Sequence, residues 1–197
     1  MNIIVQTYGG GICCRPDTTW ERENKDLYSP DFIDGYMYTP VLFARIAKAG
    51  KCIGEKFAER YYDSVGYGML LYPAGIFGKS LAWASCMDHT SVLPFPMYNR
   101  ITLESPGNRY CICLDGKEIY STNCGSADMI GKAISELSRY VSIRIGDMIA
   151  IELAAPATLI GKAGGLAGSA EDGLGDMQAE LSATFCDNEL FRFRIIG

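Results

Sequence analysis

The chain has a single histidine, His89, and only two tryptophans in 197 residues, and nowhere does it carry a run of basic side chains. Clustered lysine and arginine are what a phosphate backbone requires. Their absence, with 18 basic against 23 acidic residues and a net charge of -5, speaks against a nucleic-acid partner. Long apolar runs are missing as well. The longest, Met69 to Phe77, is broken by Pro73 and Gly75, well short of the ~20 residues that cross a bilayer, so no membrane partner is expected. The opening Met-Asn-Ile-Ile-Val has no charged segment leading into an apolar core and a small-residue cleavage site. The eight cysteines are therefore expected as reduced thiols of a cytoplasmic protein. With one histidine available, imidazole acid-base chemistry depends on a carboxylate that orients it. Asp88 is its neighbour in sequence and would diverge from it, so His89 reads as a loop residue.

What is present suits one domain spanning residues 1–197, long enough to bury roughly 70% of its unfolded surface. Hydrophobic residues at 48% and charged ones at 21% are ordinary for a globular protein. The segment from Thr39 to Tyr72 organises the rest. Val41, Leu42, Phe43 and Ile46 suit a strand buried on both faces, and Ala49-Gly50-Lys51 turns the chain. From Gly54 to Ser64, Phe57, Ala58 and Tyr61 fall at helical spacing opposite Glu55, Lys56, Glu59 and Arg60, which predicts an amphipathic helix before a second strand ending near Tyr72.

Elsewhere Asn2 to Val5 reads as a strand, followed by a Gly9-Gly10-Gly11 loop. Arg100 to Glu104 and Tyr110 to Leu114 read as strands around a Ser-Pro-Gly-Asn turn, and Asp115-Gly116 leads into Lys117 to Ser121. Ser126 or Asp128 caps a helix with Ile130, Ala133, Ile134, Leu137 and Val141 on one face. Gly146-Asp147 then turns into a core strand, Met148 to Leu153. Residues 161–175 form a glycine-rich stretch that reads as a lid or a long loop. Met177 to Phe185 alternates, Asp187-Asn188 turns, and Phe191, Phe193 and Ile195 return as a closing hairpin.

Three local patterns are weighed and set aside. Pro73 to Ser80, PAGIFGKS, is one residue from a phosphate-binding loop, but proline stands where the first glycine is needed. Cys13 and Cys14 would diverge on a strand and read as small buried hydrophobes. Cys111 and Cys113 share a strand face as half of a zinc site, with no second half visible.

Arg15-Pro16-Asp17-Thr18, Tyr28-Ser29-Pro30-Asp31-Phe32, the Thr39 to Tyr72 unit, and Leu137 to Ile149 with its Gly146-Asp147 turn follow one another as in the fumarylacetoacetate hydrolase family. From about Arg15 onward the chain resembles that family, in particular its short bacterial members, while residues 1–14 diverge. The resemblance implies an α+β fold that is mostly β, with rolled mixed sheets and two main helices, and a homodimer. Members of the family cleave or rearrange small keto acids on a divalent cation held by two glutamates and an aspartate. Those places fall here on Thr39, Val41 and Leu70, and hard cations need oxygen ligands. The family's histidine segment is missing between Val5 and Arg15, and its Thr-Gly-Thr-Pro segment is replaced by Ile151 to Pro156. Lys79 falls near a lysine that faces the cavity in catalytic members, on a shortened connection, and Glu152 brings a negative charge where an acidic substrate would sit or else lies on an exposed strand edge.

The resemblance thus implies a divergent member without metal or other cofactor, acting as a binding or assembly subunit. Its candidate pocket is Thr39, Val41, Leu70, Lys79 and Glu152, and its partner a small molecule or an active relative. The alternatives are a hydrolase, isomerase or decarboxylase of acylpyruvate or oxaloacetate type with a rebuilt site using Lys79, Glu152 or a cysteine, and a small-molecule binder whose pocket became apolar through Val41 and Leu70.

Overall fold

Two twelve-residue strands pair along their length at the centre of the structure, a computed structural model that describes residues 1–105, 107–161 and 177–197. In chain order the strands are β1 (Asn2–Gln6), β2 (Ile12–Pro16), β3 (Trp20–Glu21), β4 (Leu27–Tyr28), β5 (Gly35–Ile46), β6 (Tyr62–Pro73) and β7 (Ser91–Val92). They continue as β8 (Tyr110–Leu114), β9 (Lys117–Thr122), β10 (Met148–Glu152), β11 (Ala157–Gly161), β12 (Gln178–Phe185) and β13 (Asn188–Ile196). Helices α1 (Ala74–Phe77) and α2 (Leu81–Ala84) follow β6, and α3 (Ala127–Tyr140) follows β9.

The first sheet runs β2-β1-β10-β5-β6-β7-β3, with β11 also on β5, and the second runs β4-β13-β12-β8-β9. Both are mixed, since β1 lies parallel to β10, β3 to β7 and β4 to β13. The first sheet is curled into a roll. Arg15, on edge strand β2, reaches across to donate from Nη2 to the Leu71 carbonyl on β6 at 3.0 Å. Pairing of β6 with β7 is tight: a Cβ on Gly68 would collide with the Val92 carbonyl of β7.

The roll has two faces. Its inside packs Ile3, Val5, Val41, Phe43, Leu70 and Met148 into a small apolar cluster. Its outside, with Leu42, Tyr67 and Met69, packs on α3 and the second sheet in the main core, so β5 and β6 are covered on both sides and read as near-continuous apolar runs. Tyr67 stacks on Tyr110 at 4.7 Å between centroids, and the Tyr110 hydroxyl donates to the Gly68 carbonyl at 2.8 Å, tying the two sheets together. Helix α3 starts as its sequence demands, with Ser126 Oγ accepting from Met129 N at 3.3 Å. It buries Ile130, Ala133, Ile134 and Leu137. No described helix is long and apolar enough to cross a membrane.

The mostly β architecture with curled mixed sheets matches the expectation, but several elements differ. The predicted helix over 54–64 is a short 3-10 segment, Glu55–Arg60. Ile53 N is held by Ser138 Oγ at 2.9 Å on one side and β6 begins at Tyr62 on the other, leaving length for only two such turns. Arg100–Glu104 is a 3-10 turn rather than a strand. Asn99 Oδ1 caps Ile101 N at 3.1 Å and its carbonyl accepts from Thr102 N at 3.0 Å, so local side-chain bonding wins over the apolar alternation. The closing hairpin turns on Cys186 and Asp187, at φ 53° and 60°, one residue earlier than read. Cys14 is exposed while Cys13 is half-buried, because alternate residues of an edge strand face opposite ways. The glycine-rich stretch read as a lid or loop lies, after Gly161, outside the described residues.

Burial of the inter-sheet phenol has a measurable consequence. Desolvation pushes Tyr67 up to about 12, above the ~10 of an unfolded chain. The folded state then holds a proton that the unfolded state has released. Its contribution is complete below pH ~10 and shrinks above it, by at most about 1.4 kcal/mol per pH unit. Unfolding monitored by circular dichroism and tyrosinate absorbance is expected to show stability falling from pH ~10 to ~12, and to fall less steeply in Tyr67→Phe.

Candidate functional site in the roll interior

Thr39 and Val41 are two apart on β5 and so point to the same face. Leu70 is the register partner of Thr39, and Glu152 is the register partner of Val41. Four of the five candidate residues are therefore brought together inside the roll. Thr39, Val41 and Leu70 are fully buried, and Glu152 is 6% exposed. Lys79 is exposed on the turn between α1 and α2, bordering a separate hollow of about 210 Å³ with Asp34 and Trp83.

The polar groups of Thr39 and Glu152 have partners already. The Thr39 hydroxyl donates to the Ala154 carbonyl at 2.7 Å, fastening the Ile151 to Pro156 segment against β5. Sequence context suggests that Glu152 faces substrate or an exposed edge, but in the structure it accepts from the Tyr72 hydroxyl at Oε1 and from Tyr8 N at Oε2, both at 2.8 Å. Beside them lies Arg15, fully buried. Its guanidinium sits 4.8 Å from the Tyr72 ring centroid, and Nη2 donates to Leu71 O, Thr90 O and Thr90 Oγ1 at 3.0, 3.2 and 2.6 Å. Among the described residues no acceptor reaches Arg15 Nε or Nη1, and the guanidinium carbon lies over the π face of Tyr72, an electrostatically favourable placement for a cation.

Burial is the leading influence on the titrating groups here. It lowers the Arg15 guanidinium, with Tyr72, Cys13 and Glu152 opposing the shift. It raises Tyr72 far above the usual tyrosine range, opposed by Arg15 and reinforced by Glu152, so this phenol stays a proton donor. Cys13 is also raised by burial, which disfavours the nucleophilic thiolate.

The interior does not suit a hard divalent cation. Val41 and Leu70 carry no donor atom, the Thr39 hydroxyl is donating, and both Glu152 oxygens are engaged. The resident positive charge of Arg15 would repel a second cation across a medium that screens poorly. Among the described residues no three His, Cys, Asp or Glu side chains converge as a metal site needs.

Against that geometry, the comparisons with other proteins fall into place. No family model and no curated protein matches the sequence. Solved structures do match. A Yersinia pestis CO92 protein placed in the fumarylacetoacetate hydrolase family superposes with a TM-score of 0.74 at 14% identity, over 99% of this chain and 92% of its own. The chain has the fumarylacetoacetate hydrolase fold. A fumarylpyruvate hydrolase from Pseudomonas aeruginosa, solved with Mn²⁺ and pyruvate, matches at TM-score 0.74 and 15% identity over 100% and 89% of the two chains. A 5-carboxymethyl-2-hydroxymuconate delta-isomerase from Mycobacterium smegmatis matches at 0.71 and 15%, over 98% and 77%.

Two groupings escaped the sequence. Arg15 entered only as part of a motif, and nothing local predicts that its side chain crosses the roll to Tyr72. His89 does have an orienting carboxylate, but it is Glu21 rather than Asp88: Nδ1 lies 3.3 Å from Oε2 of a side chain only 6% exposed. The pairing arises because β3 lies parallel to β7, a contact between residues about seventy apart with no sequence signal. Cys111 and Cys113 lie 3.9 Å apart through their sulfurs, with Cys111 also donating to Glu118.

Proposed function

We propose that this chain uses the fumarylacetoacetate hydrolase fold as a binding or assembly protein and does not run the metal-dependent cleavage or rearrangement of keto acids. The observation that carries the reading is the interior constellation: Thr39, Val41 and Leu70 packed without solvent access, and Arg15 set beside Tyr72 and Glu152. Enolate chemistry depends on a positive centre aimed at the developing oxyanion. Here the buried cation is spent on carbonyls and a tyrosine ring. Assembly as a homodimer, or beside an active relative, in a reducing cytoplasmic compartment suits eight free thiols.

The rival is an active hydrolase, isomerase or decarboxylase of small keto acids, in which Glu152, the register partner of Val41, would serve as base. Turnover of acylpyruvates and oxaloacetate with Mg²⁺ or Mn²⁺ separates the two. The expected result is no rate above the uncatalysed reaction. A rate abolished by Glu152→Gln, in a variant that keeps its fold by circular dichroism, would favour the rival.

A further inference from the structure

Outside the roll, at the end of β6, a cleft of about 710 Å³ opens between the loop that follows β4 and the loop that follows α2. None of Thr39, Val41, Leu70 or Glu152 lines it, while the hollow that Lys79 borders adjoins it through Phe32, Ile33, Pro73, Ile76 and Trp83. Leu27, Ile33 and Ile76 contribute its apolar floor. Its rim carries three aromatic side chains that a soluble protein would normally cover: Tyr28, Phe32 and Trp83 are 72%, 76% and 61% exposed. Aromatic rings presented to solvent around an apolar hollow mark a binding site.

The charges of the lining indicate what enters. Lys25 is paired with Glu23 at 2.6 Å and Asp26 with Arg194 at 2.6 Å, and His89 Nδ1 lies 3.3 Å from Glu21 Oε2. That leaves Asp88, exposed, as the charged lining side chain with no ion-pair partner among the described residues. Electron-rich ring faces attract cations, and an unpaired carboxylate acts in the same direction. We propose that this cleft binds a small organic cation with an apolar or aromatic body, the cationic head toward Asp88 and the body among Tyr28, Phe32 and Trp83.

The test uses three probes of one shape and different charge: benzyltrimethylammonium, benzyl alcohol and benzoate. Binding is read at pH 8 from the Trp83 indole N–H resonance, assigned by its loss in Trp83→Phe. The expected result is saturable binding of the ammonium about tenfold tighter than of the alcohol, with benzoate weakest. Asp88→Asn should weaken the ammonium about threefold and leave the alcohol unchanged. Equal affinities, a preference for benzoate, or an Asp88→Asn variant with unaltered selectivity would overturn the proposal. So would the absence of saturable shifts together with concentration-dependent self-association by sedimentation, which would make the cleft a face between copies of the chain.

Discussion

Val41→Glu is expected to destabilise the protein by about 4 kcal/mol or more at pH 8, or to prevent folding altogether. Val41 is fully buried and its register partner is Glu152, so the variant places a second carboxylate beside an existing one in an apolar roll. Both desolvation and like-charge repulsion would raise the new group above its unfolded value of ~4.3. A carboxyl group raised on folding is harmless below its unfolded pKa and costs stability as pH increases beyond it. The deficit relative to the parent should therefore narrow from pH 8 to pH 5, as read from urea midpoints. Millimolar Mg²⁺ should not rescue the variant. A variant as stable as the parent, or one stabilised strongly by Mg²⁺, would mean that the interior can form a cation cradle.

Arg15→Ala should cost about 3–5 kcal/mol. The substitution strips Leu71 O, Thr90 O and Thr90 Oγ1 of their shared donor, removes the positive charge near Glu152, and leaves a cavity that the packed roll cannot fully close. Arg15→Met should lose much less. Methionine fills more of the vacated space than alanine and so limits the cavity, while both variants leave Leu71 O and Thr90 without the guanidinium donor. Urea unfolding of both variants measures the difference. Equal losses would indicate that the charge, rather than the packing, holds this part of the roll.

How much of this was legible in the chain depended on the range of the interactions. The Asp115-Gly116 turn, at φ 49° and 75°, and the apolar stripe of α3 are local signals, and both were readable from residue type and period. The β5–β6 pair was readable because two apolar runs flank a short connection. The 3-10 segments at Glu55–Arg60 and Arg100–Glu104 were not, since helical or alternating spacing does not reveal that a neighbouring strand or an asparagine cap limits the element. The site divides in the same way. Alternation on β5 placed Thr39 and Val41 on one face, and the matched strand added Leu70. The burial of Glu152 was invisible, because its partners Tyr8 and Tyr72 lie 144 and 80 residues away. The path of Arg15 across the roll and the Glu21–His89 pair were hidden for the same reason, since each joins residues far apart in sequence: the first through the curl of the sheet, the second through the parallel pairing of β3 with β7.

The central claim, that the roll interior around Thr39, Val41, Leu70 and Glu152 is packed, with a positive charge of its own, and holds no divalent cation, is tested most directly by calorimetric titration of the protein with Mg²⁺ and Mn²⁺. The account predicts no saturable heat and no rise in melting temperature with either ion. Stoichiometric binding at micromolar affinity, lost in Glu152→Gln, would contradict it.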